Sequence, residues 1–292
     1  MIHYKLHVYE GVSLHKDFVN EDKKLTPVVL SHGLIGDRSS YISIIKQLVS
    51  YGCIVYALSH TDGSATYFKD KTQSPPKDVF YEHYEKVVHN VRMEQHRSNQ
   101  IETRIKDIAQ VVDLIKKEAS TKVPSIDTDK IVAVGHCLGG LTAIEACHKF
   151  KNDFKLCCSL DTYFSGRSEM IKESDDYVID QPLMLLTAMF YHEDAFLADY
   201  DAKGIHSKFY DDTKLHNKSD KNYDLKLLNS SIWNQRDHSL YFMVLFKVLG
   251  LVYPPSDVLD RYTTTVNTVT AFLGEHDMLP VKFGKSVNDV FV

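Results

Sequence analysis

A cysteine between glycines is the residue in this sequence best placed to act as a nucleophile. Cys137 lies in the string Gly-His-Cys-Leu-Gly-Gly, residues 135–140, after an apolar run and before a stretch typical of a helix. In a sharp strand-to-helix turn the central residue adopts strained backbone angles, so small neighbours are needed. Such a turn is expected to expose Cys137, whose thiolate could attack a carbonyl carbon and form an acyl-enzyme. A buried structural cysteine is the alternative interpretation.

Attack on a carbonyl carbon also requires donors that stabilise the oxyanion. The backbone N–H of Leu138 is one candidate, because it begins the helix expected after Cys137. A second candidate is the N–H of Leu34, in the loop Ser-His-Gly-Leu-Ile-Gly of residues 31–36, which follows an earlier apolar run. An ordinary glycine-rich turn is the alternative for this loop.

A thiol nucleophile needs a base, and the base needs a group that orients it. His238 is the favoured base, because it lies between an apolar run that predicts a strand and a stretch that predicts a helix. Two acids fit the expected order of nucleophile, acid and histidine. Asp161 follows one predicted strand and Asp194 follows the next. The pattern alone therefore leaves the acid open between them.

A metal centre is a weaker interpretation of the other histidines. His32, His60 and Asp62 could lie together, and His3 with His7 has an HxxxH spacing without helical features around it. Structural and catalytic zinc sites usually need three or four ligands at characteristic spacings. We therefore predict loop or surface roles for these residues, and neither a metal nor another cofactor.

The predicted elements that would position these residues alternate between strands and helices, which favours an α/β fold with a mostly parallel sheet and helices on both faces. Apolar residues spaced four and three apart support a helix ending near residue 119. The polar stretch 61–80 predicts a long loop, and 191–224 supports no assignment. The predicted strands are 27–31, 53–58, 130–134, 156–160, 182–189 and 225–232, and the predicted helices are 39–50, 81–119, 141–150, 239–249 and 257–273.

Composition limits the class of protein. The chain has 292 residues, is 43% hydrophobic and carries a formal charge of −5. One large core fits that length, so a single domain over 1–292 is expected. Without a basic stripe, no nucleic-acid partner is expected. An odd count of five cysteines, with no CxxC pair and no signal-peptide pattern at the start, predicts free thiols and a cytoplasmic location.

Two segments could make weak contact with a membrane surface. Residues 240–253 form the longest apolar run, which Lys247 interrupts and which is too short to span a bilayer comfortably. The predicted loop 61–80 is the other segment. A core helix and a solvated loop are the favoured interpretations, and the oligomeric state is left open.

Several segments together resemble the intracellular and plasma types of platelet-activating factor acetylhydrolase, which are lipases of the α/β-hydrolase fold. The stretch His60–Phe68 is quite specific, and Ser159–Tyr163 contains Asp161. The resemblance extends from about residue 26 to 275, and its segments are 30–34, 58–68, 91–95, 134–140, 159–163, 181–183, the surroundings of His238, and 270–273.

This resemblance implies an acid, a pair of oxyanion donors and a substrate class. It implies Asp161 as the acid and the N–H groups of Leu34 and Leu138 as donors, with no metal. It also implies hydrolysis of short or oxidised acyl chains of phospholipids. The chain departs from the family at Cys137, where the family carries serine.

The cysteine leaves several hypotheses open. The string around Cys137 is similar to that of dienelactone hydrolases, which use a Cys-His-Asp triad in the same fold. Because Asp161 and His238 are both present, a working thiol ester hydrolase is favoured. Hydrolysis of small esters or lactones is one alternative. A catalytically inactive binding protein and an engineered replacement of serine are the others.

Overall fold

A computed structural model describes most of the chain, with gaps that matter for the site. It leaves out residues 1–10, 20–22, 72, 82–89, 175–176, 178, 189–221, 238–247, 249–257 and 292. His238, Asp194, His3 and His7 therefore lie outside the described residues, as does nearly all of the predicted helix 239–249.

The core of the fold is a six-stranded sheet in which every pair of neighbours is parallel. In order across the sheet, its strands are β2 Cys53–Ala57, β1 Thr26–Ser31, β5 Ile131–His136, β6 Phe154–Leu160, β7 Leu183–Ala188 and β8 Tyr223–Leu227. Strands covered on both faces read as continuous apolar runs, and β1, β5 and β7 are buried throughout. Two further strands, β3 Tyr67–Asp70 and β4 Lys77–Phe80, form a separate sheet.

Helices cover both faces of the sheet and give the fold two apolar cores. On β6, Cys157 belongs to one core and Cys158 to the other. These adjacent cysteines therefore point to opposite faces of the sheet, and all five cysteines are free thiols. The helices are α1 Lys16–Val19, α2 Ile42–Ser50, α3 Asn90–Thr121, α4 Leu138–Lys149, α5 Ser168–Glu173, α6 Val258–Glu275 and α7 Val287–Val290.

Across the described ranges, no helix combines the length and apolar character needed to cross a bilayer.

The prediction of one long loop over residues 61–80 was wrong. Strands β3 and β4 pair antiparallel there, with Tyr67 opposite Phe80. The two rings lie 5.5 Å apart between centroids, and Lys69 lies 3.6 Å from Asp78 across the pair. Cross-strand pairs of this kind stabilise short hairpins. Sequence patterns do not predict β3 and β4, because these strands are only four residues long and largely polar.

The predicted strand 225–232 was wrong in its second half. Strand β8 ends at Leu227, and Asn229 then adopts φ +51° in a turn. A 3₁₀ helix, Ile232–Gln235, follows. Asparagine tolerates left-handed backbone angles better than most residues, so the turn can form within a stretch that looks apolar enough for a strand.

The carboxyl ends of the central strands lie on one edge of the sheet, here called the carboxyl edge. In a parallel sheet this edge is where ligands bind. Strands β1, β5, β6 and β7 end there at Ser31, His136, Leu160 and Ala188. Cys137 and Asp161 each follow one of these ends directly.

Candidate active site

The turn at Cys137 has strained backbone geometry between a strand and a helix. Cys137 adopts φ +56° and ψ −121°, between the end of β5 and the start of α4. A β-carbon on Gly135 would overlap the carbonyl oxygen of Gly139, and one on Gly139 would overlap that of Ser31. Both positions therefore require glycine, and the two glycines allow β5, α4 and β1 to approach closely.

The expected exposure of the Cys137 side chain was wrong. Cys137 is only 5% exposed. The point at which a β-carbon of Gly33 would lie is 2.9 Å from Cys137 Cβ and 2.7 Å from Nη2 of Arg236. Gly33, in the loop after β1, and the Arg236 guanidinium thus both lie close to Cys137.

Two backbone N–H groups near Cys137 are available to a ligand. Leu138 is the first residue of α4, so its N–H precedes the first hydrogen bond within the helix. Around Leu34, the N–H of Gly33 donates to Tyr41 Oη at 3.1 Å and that of Ile35 donates to the Ser64 carbonyl at 2.9 Å. Within the described ranges, the N–H groups of Leu34 and Leu138 have no acceptor.

Asp161 is a buried carboxylate with one satisfied oxygen. It adopts φ +46°, and its N–H donates to the Leu186 carbonyl at 2.9 Å. Oδ1 accepts the Ala188 N–H at 2.6 Å, whereas Oδ2 is buried without a hydrogen-bond partner among the described residues. Burial raises the pKa of Asp161 to about 7, although the Ala188 N–H and the Arg236 charge act in the opposite direction.

Hydrogen bonds tie the Cys137 turn to the segment that carries Asp161. The N–H of Cys137 donates to the Leu160 carbonyl at 2.8 Å, and the N–H of Tyr163 donates to the Cys137 carbonyl at 3.1 Å. Cys137 and Asp161 are therefore held next to each other on the carboxyl edge.

The segment that leads to His238 is fixed at the same edge. The N–H of Asp237 donates to the Ser40 carbonyl at 3.0 Å, and Tyr262 donates to the Asp237 carboxylate. The Nε2 of Gln235 donates to the Leu186 carbonyl at 3.4 Å, in the strand next to Asp161. The chain is thus positioned up to the residue before His238.

Three side chains near Cys137 were missed by the sequence analysis. His136 Nδ1 lies 2.9 Å from Tyr41 Oη and 3.3 Å from Arg236 Nε. Burial, followed by the Arg236 charge, lowers the pKa of His136 well below its usual value. The string around Cys137 could have drawn attention to His136. No local signal shows that Tyr41 and Arg236 are buried beside it.

Three side chains considered as metal ligands do lie close together, but they surround the guanidinium of Arg104. His32, His60 and Asp62 form one cluster in which Arg104 Nε lies 2.7 Å from Asp62 Oδ2. A guanidinium in this position would repel a metal ion. In the part of the chain that the structure describes, no set of three or more ligands has a metal-binding arrangement.

The parallel sheet, the strained turn between β5 and α4, and the acid at the end of β6 together define an α/β hydrolase. A structural neighbour agrees: a ferulic acid esterase from Streptomyces cinnamoneus matches with a TM-score of 0.60 at 18% identity, over 86% of this chain and 67% of that chain. This likeness confirms the predicted fold.

The chain belongs to the family of platelet-activating factor acetylhydrolase, isoform II, whose model matches residues 4–199. The platelet-activating factor acetylhydrolase of Canis lupus familiaris is 28% identical over 184 residues, 57% of this chain and 40% of that protein. The protein of the same name from Bos taurus is 26% identical over 223 residues, 65% of this chain and 49% of that protein. The matches thus span less than half the length of these relatives.

Proposed function

We propose that this chain is a carboxylic ester hydrolase that works through an acyl-enzyme on Cys137. The observation that carries the proposal is the strained position of Cys137 on the carboxyl edge, beside the available N–H groups of Leu34 and Leu138. The buried Asp161, with one oxygen unsatisfied among the described residues, supplies an acid in the expected place. Membership of the acetylhydrolase family supports ester chemistry.

The proposed first half-reaction transfers the acyl group to sulfur. His238 takes the thiol proton, the Cys137 sulfur adds to the ester carbonyl carbon, and Asp161 stabilises the imidazolium. The N–H groups of Leu34 and Leu138 bind the oxyanion, each worth about 3 kcal/mol in comparable sites. The carbon–oxygen bond then breaks, and His238 returns the proton to the leaving alcohol.

The proposed second half-reaction releases the acid. His238 takes a proton from water, and the resulting hydroxide adds to the thioester carbonyl. The carbon–sulfur bond breaks, the carboxylic acid leaves, and the Cys137 sulfur regains the proton from His238.

The proposed substrate is a phospholipid with a short or oxidised acyl chain, of the type 1-alkyl-2-acetylglycerophosphocholine. The family and the names of the relatives support this substrate class. The free thiols support a cytoplasmic location, because thiols remain reduced there. Fractionation of cells that express the protein, followed by detection in the soluble cytosolic fraction, would test the location.

A small anionic ester or lactone is the second candidate substrate. The Arg236 guanidinium beside Cys137 favours it, because a buried cation can bind a carboxylate of the substrate. Turnover should be compared among acetyl-glycerophosphocholine, its long-acyl analogue and a soluble lactone. Activity on the lactone alone would support the second candidate and exclude the first.

The hydrolase proposal is tested by replacing the nucleophile. With p-nitrophenyl acetate, Cys137→Ala should lower kcat/KM by at least about 1000-fold, because acyl-enzyme formation is lost. Cys137→Ser should retain part of the turnover, since the family carries serine at this position. Unchanged turnover by Cys137→Ala would exclude the proposal.

Thiol reactivity separates an active enzyme from an inactive binding protein. Iodoacetamide at neutral pH should label Cys137 faster than Cys53, because only Cys137 has a proposed base. Burial raises the pKa of Cys53 to about 12, which makes it a suitable unreactive reference. Equal labelling of the two cysteines would favour an inactive binding protein.

A further inference from the structure

A largely buried polar cluster packs against the loop that carries Leu34. This loop-support cluster consists of His32, His60, Asp62, Arg104 and Asp107, which come from the segment after β1, the segment after β2, and α3. The Arg104 and Asp62 side chains are both 0% exposed. The His60–Phe68 stretch, a specific part of the family resemblance, supplies His60 and Asp62, and the proposed reaction steps use neither.

The hydrogen bonds of His32 fix which of its nitrogens carries the proton. The backbone N–H of His60 donates to His32 Nε2 at 3.1 Å, so Nε2 must accept. Burial, the Arg104 charge and His60 keep the pKa of His32 well below its usual value, so the ring is neutral. Nδ1 therefore carries the proton and donates it to the Gly33 carbonyl oxygen, which lies 2.7 Å away.

The bond to the Gly33 carbonyl also orients the N–H of Leu34. The two groups belong to the same planar peptide unit, so fixing the direction of the carbonyl fixes that of the N–H. The Gly36 N–H donates to the same oxygen at 3.2 Å. The proposed oxyanion donor is thus aimed by the His32 ring behind it.

Arg104 holds the peptide unit before Gly33 directly and the one before Ile35 through Ser64. Nη1 donates to the His32 carbonyl at 2.7 Å, and Nη2 donates to Ser64 Oγ at 2.6 Å. The Ser64 carbonyl accepts the N–H of Ile35, which adopts φ +54°. A β-branched residue keeps such an angle only where its surroundings fix it. Asp62 in turn holds the guanidinium at Nε.

His60 completes the support without forming a second catalytic centre. Ser31 Oγ lies 2.8 Å from His60 Nε2, and His60 Nδ1 lies 2.9 Å from Asp107 Oδ2. These contacts have the connectivity of a nucleophile, a base and an acid. However, Ser31 is 1% exposed and its oxygen also lies 3.4 Å from Arg104 Nη1. Ser31 therefore faces the guanidinium. Its contact with His60, like that of Asp107, holds the residue whose backbone N–H donates to His32.

We propose that the loop-support cluster is positioning machinery for the oxyanion donor, in which His32 and Arg104 together set the direction of the Leu34 N–H. This inference rests on the proposed function. It predicts that damage to the cluster impairs acyl transfer to Cys137, and leaves the thiol itself as reactive as before.

The test compares two reactions of the same sulfur. Acylation by p-nitrophenyl acetate develops an oxyanion, whereas alkylation by iodoacetamide displaces iodide and needs no oxyanion donor. His32→Leu should lower the ratio of acylation to alkylation rates by about 100-fold, the loss typical of one oxyanion donor. His32→Asn keeps a donor close to the position of Nδ1 and should restore most of the ratio.

A matched control comes from a buried hydrogen bond elsewhere. Tyr177 donates to Glu145 away from the loop, so Tyr177→Phe should leave the ratio within about 2-fold of the wild-type value. If His32→Leu does not fold, Arg104→Lys replaces it, because lysine keeps the charge beside Asp62 but cannot reach both the His32 carbonyl and Ser64. We expect its ratio to fall by about 10-fold.

Two outcomes overturn the inference. One is an unchanged ratio in the His32→Leu or Arg104→Lys variant that folds. The other is an equal loss of acylation and alkylation, which would assign the cluster a merely structural role. Wild-type protein that is neither acylated nor selectively alkylated would instead refute the proposed function, so the two failures are distinguishable.

Discussion

The Nε2 atom of His136 lies 3.7 Å from the Oδ2 atom of Asp161, and both atoms are buried without a hydrogen-bond partner among the described residues. Arg236 Nε can only donate, so His136 Nδ1 must accept from it. The neutral His136 ring therefore carries its proton on Nε2, the ring nitrogen that faces Oδ2 from beyond hydrogen-bonding distance. A residue adjacent to Cys137 in the sequence thus lies beside the proposed catalytic acid without holding it.

Replacing Asp161 by asparagine should stabilise the fold at neutral pH. Burial raises the pKa of Asp161 to about 7 from an ordinary 3.8, so the folded state binds this proton more tightly than the unfolded state does. The contribution of Asp161 to stability therefore falls as the pH rises from 3.8 to about 7. We expect Asp161→Asn to raise the free energy of unfolding by about 4 kcal/mol at pH ~8 and by much less at pH ~4.

Urea unfolding at several pH values would measure this difference, together with the loss of esterase activity. Asp180→Asn is the control, because this carboxylate is 60% exposed and should alter the free energy of unfolding by less than about 0.5 kcal/mol. A difference between Asp161→Asn and wild type that does not vary with pH would contradict the prediction.

The turn at Cys137 should be intolerant of even one added methyl group. In Gly139→Ala the new β-carbon would overlap the Ser31 carbonyl oxygen, which belongs to backbone and cannot swing aside. We expect a loss of at least about 3 kcal/mol in the free energy of unfolding, typical of severe overpacking. In Gly284→Ala the new carbon meets nothing within 4 Å. This control should therefore melt within about 2 °C of wild type, and equal melting temperatures of the two variants would refute the close approach of α4 to β1.

Local patterns were enough to predict most of the sheet. The runs before Gly33 and Gly135 are apolar because both faces of a parallel strand are buried, and each run ends at residues suited to a sharp turn. The cysteine turn, and the acid following β6, could be located for the same reason. The family resemblance then favoured Asp161 over Asp194, which residue pattern alone could not do.

Long-range polar contacts could not be predicted in this way. Asp62 and Arg104 are separated by 42 positions, and each would ordinarily be read as a solvated charge. The contact of α3 with the segment after β2 brings them together in the core. Likewise, Cys137 lies close to Gly33 and Arg236, which come from distant parts of the chain. Local periodicity carries no information on such contacts.

We propose the hairpin of β3 and β4 as the segment that contacts a membrane surface. Tyr67 and Phe80 are 42% and 67% exposed, and their rings pack against each other on the outside of the molecule. The combined Tyr67→Ser and Phe80→Ser change should lower the partition coefficient onto phosphatidylcholine vesicles by at least about 10-fold, because aromatic burial in the interface is lost. Turnover of soluble p-nitrophenyl acetate should not change.

Vesicle flotation would measure the binding, with Leu259→Ser on α6 as the control, since Leu259 is 65% exposed but far from the hairpin in sequence. Equal binding by wild type and the double variant would exclude the hairpin as the contact surface.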